Sequence, residues 1–288
     1  MHFDYKAIKE DFETINQALK IVTSKKLKYI FNNKVILDKT IIISFDSEFI
    51  YIWAKKKIHG IKPIQYESTN YYFYKINHNL QIKEFDRMGW KAGVWLNEID
   101  DLLPVGLRKN DFEAPKICGS LYGDFVSNQK KIKGEKNNPY ITQEGYLATI
   151  IHEFGHIYYQ SHKNWWFSDK QKNLKLLKDA LTLYNGANRK IKTKIEIPKP
   201  FFFSEVFAFC AEYETSEIFF PKHKLNIDNY VVQVINESVK AEQQKNLETE
   251  DSIFNEKAQH IIAFVIGKIL LNNFSKTWPE IILSKSVL

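Results

Sequence analysis

The chain has 288 residues, of which 44% are hydrophobic, and its formal net charge is +7. This length and hydrophobic content suffice for one large domain or two modest ones with real cores, which excludes a chain that is disordered throughout. Heavy use of aromatic residues (21 Phe, 15 Tyr and 6 Trp) beside only 11 Gly and 8 Pro excludes a low-complexity or fibrous protein.

The number of cysteines and the N-terminal residues help to predict the cellular compartment of the protein. Only Cys118 and Cys210 are present, too few for a disulfide framework, although a single bridge between them stays open. Residues 1–6 lack a basic stretch followed by an apolar run, so no signal peptide is predicted. The longest apolar stretch, 261–271, is about half the length needed to span a bilayer. We expect a cytoplasmic protein with no membrane segment, with export by a specialised route as the alternative.

The positive charge is spread along the chain rather than concentrated in one segment. Its lysine and arginine clusters are short and widely separated, and such dispersed charge is typical of a solvated surface. No recognition motif for nucleic acid accompanies them. We therefore expect no nucleic-acid partner, and the sequence does not predict an oligomeric state.

The N-terminal half is predicted to contain one helix and then strands. Apolar residues recur every three or four positions between Tyr5 and Tyr29, which is the helical period. Runs of β-branched and aromatic residues then predict strands at 40–45, 49–54, 71–76, 80–85 and 117–126.

After Pro139 the pattern becomes helical almost throughout. Further helices are predicted at 170–184, 200–218, 227–243 and 253–274, after a first helix that follows Pro139. Strands followed by helices indicate an α+β fold. We divide the chain into an N-terminal α/β region of unknown role, residues 1–105, and a mainly helical domain, residues 106–288.

The segment from His152 to His156 reads H-E-F-G-H and lies inside the first of these helices. Two histidines at positions i and i+4 share one helix face and can bind one metal ion together. Neutral imidazole nitrogens suit Zn²⁺, and a catalytic zinc usually keeps three protein ligands and one water. Glu153 follows the first histidine, where its carboxylate is positioned to act as the general base on that water.

Two residues compete for the third ligand position. His162 comes ten residues after His152, as in the metzincin pattern H-E-x-x-H-x-x-G-x-x-H. However, Tyr159 stands where that pattern has its turn glycine, and no methionine follows the motif. The other residue is Glu205, which is predicted to lie about one turn inside the helix that Pro200 begins.

The two segments together, H-E-F-G-H and later E-x-F-A-x-x-x-E-Y, resemble the gluzincin metallopeptidases, particularly those of the lethal-factor and Mlc titration factor types. The resemblance covers residues 142–220 and implies a zincin-like domain within residues 106–288. It implies His152, His156 and Glu205 as zinc ligands and Glu153 as the base.

One position departs from that family. The gluzincins named above carry a tyrosine seven residues before the glutamate ligand, where this chain has Pro198. The group that stabilises the oxyanion is therefore unassigned, with Tyr213 and His223 as the nearby donors. Glu212 lies two helical turns beyond Glu205 on the same face and is either an outer partner of a ligand histidine or a solvated residue.

These observations predict a zinc-dependent endopeptidase that acts on a protein or peptide substrate. Zincins commonly bind the substrate in extended form along an edge strand, and residues 119–126 are the predicted strand. The alternative is a catalytically silent zincin fold that acts as a binding or regulatory module.

Overall fold

The computed structural model describes residues 5–32, 41–45, 49–58, 61–64, 71–77, 116–120, 138–160, 162, 203–243 and 256–283. The chain divides into two compact units, Met1–Tyr158 and Tyr159–Leu288, and each is described by itself. The predicted boundary at residue 105 and the predicted elements 80–85 and 170–184 lie outside the described residues.

The first unit contains both helices and strands. A helix α1 (Tyr5–Val22) is followed by strands β1 (Ile41–Phe45), β2 (Phe49–Ala54), β3 (Tyr72–Asn77) and β4 (Lys116–Ser120). Helix α2 (Gln143–Gln160) comes next, and its last two residues belong to the second unit. The bounds of β1 to β4 follow the predicted segments closely, apart from residues 121–126, which the structure does not describe. Helix α1 ends at Val22, seven residues before the predicted end at Tyr29.

The four strands form one mixed sheet in the order β3-β2-β1-β4. The hairpin pairs β1 with β2 in antiparallel fashion, with Ile43 opposite Ile52, and β2 pairs antiparallel with β3. Strand β4 runs parallel to β1, with Ile43 opposite Cys118. Among the described strands, β4 therefore lies at one end of the sheet.

Helix α1 covers the sheet with an aromatic cluster. Phe12 stacks on Trp53 with ring centroids 5.0 Å apart, and Trp53 lies 5.2 Å from Phe73. Trp53 and Phe73 are buried. Because burial of large aromatic rings is the main source of stabilisation in a small core, this cluster joins the N-terminal helix to the sheet.

Both ends of helix α2 are held by specific contacts. At its start, the Thr142 hydroxyl accepts a hydrogen bond from the Gly145 amide (3.0 Å), which is the usual N-cap arrangement. Near its end, Tyr158 packs edge-on against Phe31, and its hydroxyl accepts from the Asn32 amide and donates to the Asn32 side chain. The helix that carries the histidine motif is thereby fixed at both ends.

The described elements of the second unit are helical. They are α3 (Phe203–Phe219), α4 (Pro221–Gln243), α5 (Glu256–Phe274) and α6 (Trp278–Leu283). Helices α3 and α5 were predicted close to these bounds, α4 begins six residues earlier than predicted, and α6 was not predicted. Together with the first unit, the structure is mixed and mostly helical, which is compatible with the α+β class.

Helices α3 and α5 run parallel, and the pairing of their residues keeps a nearly constant offset. Phe209 packs on Phe264 with centroids 5.0 Å apart, and the Lys268 ammonium donates to the Tyr213 hydroxyl (2.7 Å). The partners in both contacts are 55 positions apart. Gly267 permits this close approach, since a Cβ atom there would overlap the Phe209 ring.

No helix within the described residues is both long enough and apolar enough to cross a membrane.

Candidate metal centre

The His152 and His156 side chains face each other on helix α2. Their Nε2 atoms are 3.1 Å apart, and the two residues are buried, with 9% of each exposed. Zinc–nitrogen bonds of about 2.0–2.1 Å in a tetrahedral site place two ligand nitrogens about 3.3 Å apart. The pair therefore already has the separation that two ligands of one zinc ion require.

Glu153 lies beside this pair in sequence but on a different part of the helix surface. One residue along a helix corresponds to a rotation of about 100°, so the Glu153 side chain leaves the face that the two histidines share. Its exposure is intermediate, whereas both histidines are buried. A carboxylate with access to solvent next to a buried histidine pair is suited to exchange protons with water.

In the second unit, Glu205 of α3 contacts His260 of α5. Glu205 Oε2 and His260 Nε2 are 3.7 Å apart, and the two side chains are 20% and 33% exposed. This contact has the same offset of 55 positions as the Phe209–Phe264 contact one turn further along the helices. Parallel packing of α3 and α5 thus produces the pair, because Glu205 and Phe209 share one helix face.

Each unit carries a pair of side chains that could bind a metal ion. His152 and His156 lie in the first unit, and Glu205 and His260 lie in the second. Imidazole nitrogens and a carboxylate oxygen are donors that suit zinc.

His260 was not predicted from the sequence. It lies in the last long helix, four residues after Glu256, and neither residue is part of the two segments that resemble the gluzincins. The available signal was the repeat of Glu205, Phe209 and Tyr213, each four residues apart, which matches His260, Phe264 and Lys268 at the same intervals. That match becomes informative only once the two helices are known to pack in parallel.

His162, the alternative third ligand, lies just beyond the end of α2. Its backbone amide donates to the Tyr159 carbonyl oxygen (3.0 Å), and its side chain is exposed. Its role as the third ligand stays a prediction.

Tyr213, predicted as an oxyanion donor, takes part in a network that joins three helices. Its hydroxyl donates to Asp228 Oδ1 of α4 (2.5 Å) and accepts from Lys268 of α5 (2.7 Å). Burial, together with the hydrogen bond to the Asp228 carboxylate, raises the pKa of Tyr213 well above its usual range. Its role at a reaction centre stays a prediction.

The same network determines the charge state of Asp228. Burial opposes ionisation of this carboxyl, but hydrogen bonds from Tyr213 and Lys268 outweigh burial, so the pKa of Asp228 is lowered. Lys224 adds an ion pair at 3.1 Å from the other side. The cluster therefore contains an ionised aspartate at neutral pH.

Glu212 and His223 face each other inside the second unit. Glu212 Oε1 and His223 Nε2 are 4.0 Å apart, and their side chains are 3% and 0% exposed. Glu212 is two turns beyond Glu205, which corresponds to about 10 Å along the axis of α3. His223 lies in the first turn of α4. The structure thus pairs the two residues with each other, and their roles as an outer partner and an oxyanion donor stay predictions.

No protein-family model matches this chain, and neither a curated protein nor a solved structure matches it.

Proposed function

We propose that this protein is a zinc-dependent endopeptidase of the gluzincin type, with His152, His156 and Glu205 as zinc ligands. The observation that carries the proposal is the 3.1 Å separation of the His152 and His156 nitrogens, because it matches the edge of a tetrahedral zinc site. The substrate would be a protein or peptide.

Bound zinc would polarise the scissile carbonyl and lower the pKa of an attacking water to near 7. Glu153 would accept the proton of that water and deliver it to the leaving amine nitrogen, so that no covalent enzyme intermediate would form. Buried His152 and His156 hold their rings in fixed orientations on α2, and Glu205 supplies the carboxylate from α3.

The substrate is proposed to lie in extended form beside β4. This strand ends the described sheet, so its outer edge offers backbone amide and carbonyl groups to a peptide. Hydrogen bonds along such an edge recognise a main chain without reading its side chains. A peptidase with this arrangement would accept several sequences.

A second candidate function is a zinc-binding regulatory module without hydrolytic activity. The observation that favours it is Pro198, which stands where related gluzincins have a tyrosine that stabilises the tetrahedral intermediate. The two functions share the same metal centre and differ only in turnover.

The experiment is hydrolysis of a mixed peptide library by the full chain, with zinc removed by a chelator and then restored. We expect cleavage that stops on removal and returns on restoration. Glu153→Gln should lower kcat/KM by about 10²–10⁴-fold with its zinc content unchanged, because it removes the base and leaves the ligands. Glu144→Gln, an exposed residue in the first turn of the same helix, is the matched control.

Zinc binding without cleavage of any peptide would support the regulatory module and exclude the peptidase. Cleavage that is unaffected by Glu153→Gln would show that this residue is not the base.

A further inference from the structure

Glu205, the proposed carboxylate ligand, contacts His260 inside the second unit. Glu205 Oε2 and His260 Nε2 are 3.7 Å apart. The Oε2 atom is buried, although 20% of the Glu205 side chain is exposed. A buried carboxylate oxygen is costly unless a charged or polar group lies beside it. The imidazole of His260 is such a group, so it favours the Glu205 rotamer that keeps Oε2 in this position.

His260 is held beside Glu205 by the packing of two helices rather than by a loop. It lies in the second turn of α5, and the Phe209–Phe264 contact continues the same line of packing one turn further. The His260 ring also stacks on Phe264, with centroids 6.4 Å apart and an interplanar angle of 27°. The imidazole is thereby fixed on the side of α5 that faces α3.

We propose that His260 is a positioning residue, which holds the Glu205 carboxylate by its Oε2 atom and leaves Oε1 to serve as the ligand atom. This inference rests on the proposed function for the zinc ion, whereas the contact itself lies within the second unit. The imidazole carries a proton on Nε2 when it is charged and in one neutral tautomer. A small side-chain rotation brings this N–H group within hydrogen-bond distance of Oε2. Partners of this kind orient a metal-binding carboxylate and raise the metal affinity.

Two properties of His260, its ring and its N–H group, can be separated by substitution. His260→Phe keeps a ring against Phe264 but has no N–H group. His260→Gln loses the ring and keeps an amide N–H group that can donate to Glu205. A role in packing alone would depend on the ring, whereas the positioning role depends on the N–H group. Exposed Asn272→Ala on the same helix is the matched control.

The test uses the full chain with Zn²⁺, whose affinity is measured by competition with a chromophoric chelator, and then with Co²⁺, whose visible absorption reports the set of ligands. We expect His260→Phe to bind zinc about tenfold or more weakly than the wild type. His260→Gln should recover most of this loss, and its cobalt spectrum should keep the wild-type shape because the donor atoms are unchanged. Asn272→Ala should match the wild type in both measurements.

Wild-type zinc affinity in His260→Phe, or an equal loss of affinity in His260→Phe and His260→Gln, would overturn the inference and leave the proposed function standing. An altered cobalt spectrum in His260→Gln would also overturn it, because His260 would then be a ligand itself. Absence of metal binding in the wild type would overturn both the inference and the proposed function.

Discussion

The pair His152–His156 of the first unit and the pair Glu205–His260 of the second unit are built in different ways. His152 and His156 lie four positions apart on one helix, so the helical repeat alone brings their nitrogens within 3.1 Å. Glu205 and His260 are 55 positions apart on two helices and meet only because α3 and α5 pack in parallel. The first pair therefore depends on local structure, and the second depends on tertiary packing.

The first prediction concerns Gly145, which lies at the start of α2, the helix that carries His152 and His156. A Cβ atom there would overlap the Pro139 carbonyl oxygen and come within 2.7 Å of Tyr140 Cα. Since both atoms belong to the backbone, little relief is available. We expect Gly145→Ala to lower the free energy of unfolding by about 3 kcal/mol, measured by urea denaturation.

Glu144→Ala, at the exposed neighbouring position, should stay within about 0.5 kcal/mol of the wild type. A stability gain in Gly145→Ala, as an unobstructed helical glycine would show, would contradict the close approach of the turn before α2.

The next prediction concerns Gly267, where α5 packs closely on α3, the packing that brings Glu205 and His260 together. A Cβ atom at this position would lie 2.8 Å from Phe209 Cε1 and 3.3 Å from Cys210 Sγ, so α5 must move or the Phe209 ring must turn. Because these neighbours are side chains, the expected cost of Gly267→Ala is smaller, about 1–2 kcal/mol of unfolding free energy. Exposed Asn272→Ala on the same helix is the control.

A second substitution, Phe209→Leu, should recover part of this loss when combined with Gly267→Ala, since it shortens the obstructing side chain. Strictly additive losses in the double variant would indicate that the two residues are not coupled, contrary to the packing of α3 on α5.

The smallest effect is expected at the network that joins α3, α4 and α5. Because the pKa of Asp228 is lowered in the folded protein, its contribution to stability is complete above the unfolded aspartate value of about 3.9. The contribution is lost as pH falls below that value and through the folded pKa. We expect this loss to be about 1 kcal/mol, measured as the unfolding free energy against pH.

Asp228→Asn should flatten this part of the pH dependence, and exposed Glu280→Gln should leave it as in the wild type. An unchanged acid profile in Asp228→Asn would mean that other carboxyls account for the dependence.

The sequence predicted elements whose signal is local. Strands β1 to β3 and helices α1, α3 and α5 follow from period-two or helical patterns in adjacent residues. Helix α6 was missed because it has only six residues and begins with Trp278-Pro279, too short for a period to show. The start of α4 was placed late because polar residues follow Pro221.

The same distinction applies to the candidate site. The histidine pair could be predicted because helical geometry relates positions four apart. Glu205 was identified from a resemblance in a second segment, and His260 was missed because it lies outside both segments that carry the resemblance. Contacts between helices depend on which faces pack together, and the contact of His260 with Glu205 follows only from the register between α3 and α5.

The most direct test of the account is the zinc content of purified full chain, measured by elemental analysis for the wild type, Glu205→Ala and His162→Ala. The account predicts about one zinc per chain in the wild type and in His162→Ala, and loss of most zinc in Glu205→Ala, because the carboxylate from α3 is a ligand. Full zinc in Glu205→Ala together with loss in His162→Ala would contradict it and assign the third ligand to His162.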